Sequence, residues 1–245
     1  MPPAKLSINI NKYALLRNSR GHNAPDLRGA IDSCLSAGAH GITIHPRRDQ
    51  RHIRFDDVAL VSDYMAEKYP GVELNIECEL HPFFLDLVLE FQPAQCTLVP
   101  VTPGEITSDH GWDIPRFGRV LNPALKKLRD AGIRTSIFMD CDPSLMQGAA
   151  DVGTDRVELY TGPFAWAWGT PKQAAVTAAL HESAQAARSV GLEVNAGHDL
   201  DKDNLVGLAS SGQVAEVSIG HAHVCRSLEV GHTQSIHELL AALGW

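Results

Sequence analysis

The densest grouping of chemically capable side chains is Gly41-Ile42-Thr43-Ile44-His45-Pro46-Arg47-Arg48-Asp49-Gln50-Arg51-His52. Alternating β-branched residues stop at a proline and pass into a loop holding two histidines and three arginines within eight residues. That composition suits an anionic ligand with a titratable imidazole beside it better than it suits packing. His45 is placed to shuttle protons, a hydrogen-bonded core histidine being the other reading. Arg47 shares its strand parity and is the preferred anion contact, with His52 following at loop spacing. Arg48 and Arg51 can be ordinary solvated charges. Glu77 lies inside Leu74-Asn75-Ile76-Glu77-Cys78-Glu79, where a carboxylate is costly to bury without a partner. It is therefore a candidate general base of raised pKa, with a structural ion pair as the competing account and Glu79 eligible on the same parity. Gly197-His198-Asp199 offers a further acid, and Gly220-His221 offers backbone N–H groups where a helix is expected to begin, a seat for phosphate. Arg20, in a Leu15–Pro25 segment read as a mobile loop, is within reach of a second anion unless the segment is only a connection. His22, His40, His81, His110, His181, His232 and His237 receive no role.

Strand-like runs place these residues. They recur about every 25 to 35 residues at Leu6–Ile10, Gly41–His45, Glu73–Cys78, Gln95–Pro100, Arg134–Asp140, Arg156–Thr161, Glu193–Ala196 and Glu216–Gly220. Helical patterns lie between them. Pro25-Asp26 opens one whose Leu27, Ile31, Cys34 and Leu35 share a face and which Gly38 closes; Asn122-Pro123 is expected to start another that Gly132 stops; Thr170-Pro171-Lys172-Gln173 reads as a capping box. Eight strands alternating with helices over this length predict one (β/α)8 barrel domain spanning 1–245. A doubly wound sheet is the runner-up, but Asn9-Ile10-Asn11-Lys12 is not its glycine-rich turn. One face of each strand is apolar (Ile8 and Ile10, Ile42 and Ile44, Leu74 and Ile76, Val157 and Leu159, Val217 and Ile219). The other is polar (Ser7, Asn9 and Asn11; Thr43, His45 and Arg47; Asn75, Glu77 and Glu79; Glu158 and Tyr160). Parallel strands covered on both faces are normally apolar throughout, so the polar face should line a barrel interior and converge at the mouth. A solvated antiparallel sheet is the plainer alternative.

The chain has 245 residues, 44% of them hydrophobic, with a formal charge of −8. Nucleic acid and anionic membranes are thus unexpected partners, and any anion site must be a local concentration of positive charge. Five scattered cysteines without a CxxC pair suggest reduced thiols. No apolar run reaches membrane-spanning length, and Met1-Pro2-Pro3-Ala4-Lys5 leads straight into a strand, so a cytoplasmic protein is expected.

Several ordered blocks resemble the pyridoxine 5′-phosphate synthase family, almost end to end. They are Asn9-Ile10-Asn11, Leu16-Arg17-Asn18-Ser19-Arg20-Gly21, Gly41-Ile42-Thr43-Ile44-His45-Pro46-Arg47, Arg51-His52-Ile53, Asn75-Ile76-Glu77, Leu98-Val99-Pro100, Val194-Asn195-Ala196-Gly197-His198 and Ile219-Gly220-His221-Ala222. The resemblance implies a (β/α)8 barrel assembled as a homo-octamer, a tetramer of dimers. It implies condensation of 3-amino-2-oxopropyl phosphate with 1-deoxy-D-xylulose 5-phosphate, releasing inorganic phosphate and water, with no cofactor and no metal. Proton transfer then falls on His45, Glu77 and His198. Contacts to deoxyxylulose phosphate fall on Arg47, His52, Thr107 and the Asn11-Lys12 pair, and those to the aminoketone phosphate on Asn9, Arg20, Asp199 and Gly220-His221.

Three departures from the family pattern stand out. Asn11-Lys12 replaces the Asp-His of many members, Asp199 stands where many carry glycine, and Val101 replaces a glutamate after Leu98-Val99-Pro100. The rivals are a divalent-metal phosphosugar isomerase or epimerase using His45, Glu77 and His198 as ligands, and a non-catalytic phosphosugar-binding barrel. A Schiff-base aldolase would have to use Lys12, the only lysine at a strand's end.

Overall fold

Eight short strands, each with apolar residues at alternate positions, pair in parallel and in sequence order, and the last closes on the first. The structure is a computed structural model that describes residues 2–102, 104–105 and 107–245. The order is β1 (Lys5–Asn9), α1 (Asn11–Asn18), α2 (Leu27–Ser36), β2 (Gly41–Ile44), α3 (Phe55–Lys68), β3 (Glu73–Cys78), α4 (Pro82–Phe91) and β4 (Gln95–Leu98). It continues with α5 (Ile114–Asp130), β5 (Arg134–Met139), α6 (Met146–Asp151), β6 (Arg156–Tyr160), α7 (Gly162–Ala167) and α8 (Gln173–Ser189). It ends with β7 (Glu193–Gly197), α9 (Leu205–Ala209), β8 (Glu216–Ile219), α10 (His221–Val230) and α11 (His232–Leu243). The closed parallel barrel excludes both the doubly wound sheet and the antiparallel alternative.

The two strand parities separate as chemistry demands. Ile8, Ile42, Ile44, Ile76, Val157, Leu159 and Val217 are fully buried in one large cluster with residues of the helices, such as Ile31, Val58, Val61, Leu125 and Ile236. The opposite parity fills the interior with polar groups. Ser7 Oγ meets Thr43 Oγ1 at 2.7 Å, Arg134 donates to Gln95 at 2.9 Å and pairs with Glu73, and Arg156 donates to Asn195 at 3.1 Å. Val99, Phe138 and Tyr160 form a small apolar cluster of their own. They share the inward parity of Thr97, Ser136 and Glu158.

Local signals explain most helix starts. The Asp26 carboxylate caps α2 by accepting from Gly29 N at 3.2 Å, as Pro25-Asp26 predicts. Three expectations need correction. The Leu15–Pro25 segment is not all loop: α1 runs to Asn18, and Arg17 within it makes two 2.6 Å hydrogen bonds to Asp57 of α3. Asn122-Pro123 does not start a helix. α5 begins eight residues earlier at Ile114, where Asp113 caps Arg116 N at 3.2 Å and Pro115 occupies the first turn. Pro123 sits inside it, tolerated because Leu121, Ala124, Leu125 and Leu128 bury their side chains on the barrel side. At Thr170 the box is displaced: Gln173 accepts from Gly169 N at 2.9 Å, Thr170 Oγ1 accepts from Lys172 N, and regular helix starts only at Gln173.

Candidate active site

The polar parity opens into a cavity of about 400 Å³ at the C-terminal ends of the strands. Its lining includes Asn9, Asn11, Lys12, His45, Arg47, His52, Glu77, Thr107, His198, Asp199, Gly220 and His221. Arg20, expected from sequence, is not among them; it is exposed beyond the end of α1.

At the centre, His45 Nδ1 lies 3.3 Å from Glu77 Oε2. Burial, reinforced by the Arg47 guanidinium, pushes His45 down to about 3, so its imidazole is neutral. Burial also pushes Glu77 up to about 7, moderated by His198 and Arg47. The contact is therefore between a neutral imidazole and a carboxyl group poised between its two forms, not a fixed ion pair. Glu158 on β6 lines the same cavity, and burial together with the Glu77 charge holds its carboxyl well above the usual range. Two carboxyl groups, both raised by burial, face one space, and the charge on either disfavours ionisation of the other. Glu158 was visible on the polar parity of β6, but no motif spacing singled it out. Glu79, equally eligible on parity, lies outside this cavity and accepts from Arg48 Nε at 2.7 Å.

One rim is built to receive an anion. Arg47 is 8% exposed, and among the described residues its guanidinium makes no hydrogen bond or ion pair with a protein group. A desolvated fork of N–H donors without a protein partner is a preformed anion seat. His52 Nδ1 accepts from Ile53 N at 2.9 Å, which assigns the proton to Nε2. Burial presses its pKa to about 3, so it contributes a neutral N–H donor. Arg51 lines the cavity while paired with Asp49; Arg48, paired with Glu79, does not line it. Asn11 Oδ1 accepts from His45 N at 2.9 Å. That acceptor role is one an aspartate would also fill, so an amide here keeps the join between β1 and β2.

The second rim is α10, which follows β8, like β2 a neighbour of β1. Gly220 precedes its first turn, and a Cβ there would stand 2.7 Å from the Asn9 carbonyl oxygen, so only glycine fits this approach of β8 to β1. At Gly197 an added Cβ would stand 2.2 Å from Glu158 Oε1, so the Glu158 carboxyl would have to shift. His198 and Asp199 both adopt left-handed backbone, φ 88° and 57°. This turn brings His198 Nε2 within 2.8 Å of Thr107 Oγ1. The Asp199 carboxylate accepts from Trp166 Nε1 at 2.8 Å and approaches His198 Nδ1 at 3.2 Å, and these contacts hold its pKa below the ordinary range. The charge that could repel a phosphate is thus partly engaged by Trp166 and His198. Among the described residues, His45, Glu77 and His198 do not bring three ligand atoms within 4.8 Å of one another, which weighs against the metal-isomerase reading.

The family model described as pyridoxal phosphate biosynthesis protein PdxJ matches residues 6–244. The chain is 45% identical over 245 residues to the pyridoxine 5′-phosphate synthase of Albidiferax ferrireducens, covering 98% of this chain and 97% of that one. It is 45% identical to the synthase of Brucella anthropi, covering 98% and 99% of the two chains. The synthase of Mesorhizobium japonicum is 43% identical, covering 99% and 100%. In three dimensions the chain superimposes on the tryptophan synthase A-subunit of Pyrococcus furiosus with a TM-score of 0.63 at 12% identity, covering 98% of each. Likeness at that identity speaks for the barrel alone.

Proposed function

Because this chain belongs to the PdxJ family of pyridoxal phosphate biosynthesis proteins, we propose that it condenses 3-amino-2-oxopropyl phosphate with 1-deoxy-D-xylulose 5-phosphate to pyridoxine 5′-phosphate, releasing inorganic phosphate and water. The amine of one substrate attacks the ketone of the other, and water leaves as the imine forms. Ionised Glu77 then withdraws a proton, neutral His45 relays it, phosphate departs and water adds to the carbon it leaves. His198 supplies the proton for loss of hydroxide during ring closure, and Glu158, its carboxyl held well above the ordinary range by burial, donates a hydrogen bond to developing negative charge when protonated. Arg47 and His52, with Asn11, Lys12 and Thr107, receive deoxyxylulose phosphate. The α10 rim at Gly220-His221, with Asn9 and Asp199, receives the aminoketone phosphate, and Arg20 joins it if its loop folds inward.

The observation that carries this reading is the placing of three titratable groups in one cavity with two candidate anion seats, one after β2 and one after β8. A phosphosugar-binding barrel without chemistry would not need Glu77 at a pKa of about 7. We also infer a cytoplasmic homo-octamer, a tetramer of dimers; among the described residues no helix is long and apolar enough to cross a membrane. Incubating the purified protein with both substrates should yield pyridoxine 5′-phosphate by absorbance and mass, with none from either substrate alone. No product, where a related synthase works, contradicts the assignment.

A further inference from the structure

Away from the mouth, four side chains from four helices meet in a second polar cluster. They are Tyr13 on α1, Cys34 on α2, His223 on α10 and His232 at the start of α11. One ligand atom each from Cys34, His223 and His232 lie within 4.8 Å of one another. The Tyr13 hydroxyl stands 2.8 Å from His223 Nε2 and 2.6 Å from His232 Nδ1. Cys34 and His223 are fully buried, and Tyr13 and Cys34 pack with the apolar helix layer. Aliphatic side chains would fill this space without the cost of desolvating nitrogen, oxygen and sulfur.

The hydrogen bonds aim lone pairs inward. Ser235 Oγ donates to the His223 carbonyl at 3.1 Å and lies 3.0 Å from His223 Nδ1. With the serine proton so used, Nδ1 donates to Ser235 and Nε2 presents its lone pair to Tyr13. A histidine pinned through its outer nitrogen is how metal-binding imidazoles are oriented. Tyr13 has one proton and two ring nitrogens within hydrogen-bond distance, so it cannot donate to both.

We propose that Cys34, His223 and His232, with the Tyr13 oxygen completing the set, form a structural site for one zinc-class divalent transition-metal ion. One sulfur and two imidazole nitrogens match the borderline-soft preference and four-coordinate geometry of zinc, and the lack of carboxylates argues against magnesium or calcium. Binding draws the donors in to about 2.0–2.3 Å and requires Cys34 as thiolate, its proton passing to solvent. The position gives the ion a task. Tyr13 adjoins Asn11-Lys12 on α1, and His223 lies two residues beyond His221 on α10, so the ion joins the two helices whose first turns border the mouth.

The test loads chelator-stripped protein with cobalt or zinc alone. We expect one equivalent per chain by elemental analysis, a tetrahedral cobalt spectrum with a thiolate charge-transfer band, and a Tm raised by zinc. Cys34→Ser should abolish the charge-transfer band. His232 is only half-buried, so His232→Gln should retain the apo Tm and lose the zinc-dependent rise. No cysteine lines the mouth, so this band cannot come from His45, Glu77 and His198. Zinc at background after exposure to excess, a cobalt spectrum without the thiolate band, or a band surviving Cys34→Ser overturns the proposal and leaves a hydrogen-bond network only. None of these readouts depends on synthase turnover.

Discussion

Glu77 is costly to bury, and that cost is what makes it useful. A carboxyl held at about 7 in the folded chain binds its proton more tightly than in the unfolded chain. The stability it contributes is full below the ordinary glutamate range and is lost as pH rises through about 7. Glu77→Gln should therefore raise Tm at about pH 8 relative to the parent and change it little at about pH 5, as thermal denaturation would show. Catalysis carries the opposite sign: the base works when ionised, so kcat/KM should climb with pH through the same region. At Arg47 the consequence is for binding. Arg47→Lys keeps the charge but loses the fork, and KM for one phosphorylated substrate should rise roughly 10-fold or more, with the fold of the chain unchanged by circular dichroism. An unaltered KM would mean that the anion seat lies elsewhere.

At the scale of elements, the strands and their faces were legible because the barrel interior is polar. Ser7, Thr43, Asn75 and Glu158 punctuate otherwise apolar strands, so parity alone separated inside from outside. Helix starts were less legible: proline opens α5 at Pro115 yet sits within it at Pro123, and sequence carries the same residue in both places. Contacts between remote segments were not legible at all. Thr107 meets His198 across 91 positions and Tyr13 meets His232 across 219, distances over which spacing holds no information. Arg17 shows the same limit; in sequence it adjoins a loop rich in anion-binding types, whereas in the fold it clamps α1 to α3 through Asp57, both side chains 5% exposed. Arg17→Met should strand a buried carboxylate and lower stability by about 3–5 kcal/mol in urea unfolding. A change under 1 kcal/mol would show that Asp57 has other support.

For the whole molecule, a formal charge of −8 and substrates bearing phosphate are reconciled by concentrating Lys12, Arg47 and Arg51 at one cavity. Steering toward that cavity is electrostatic, so kcat/KM should fall as ionic strength rises. Leu228 is 83% and Trp166 63% exposed, which suits subunit contacts; light scattering should give eight times the 26.6 kDa chain mass. We propose the Glu77 carboxylate as the base of the synthesis that this barrel carries out. Single-turnover synthesis of pyridoxine 5′-phosphate by the parent and by Glu77→Gln, with phosphate binding measured in both, tests it most directly. The parent should make product, Glu77→Gln should lose about 10²-fold or more of that rate, and both should bind phosphate alike. Product formed by Glu77→Gln at the parental rate would contradict it.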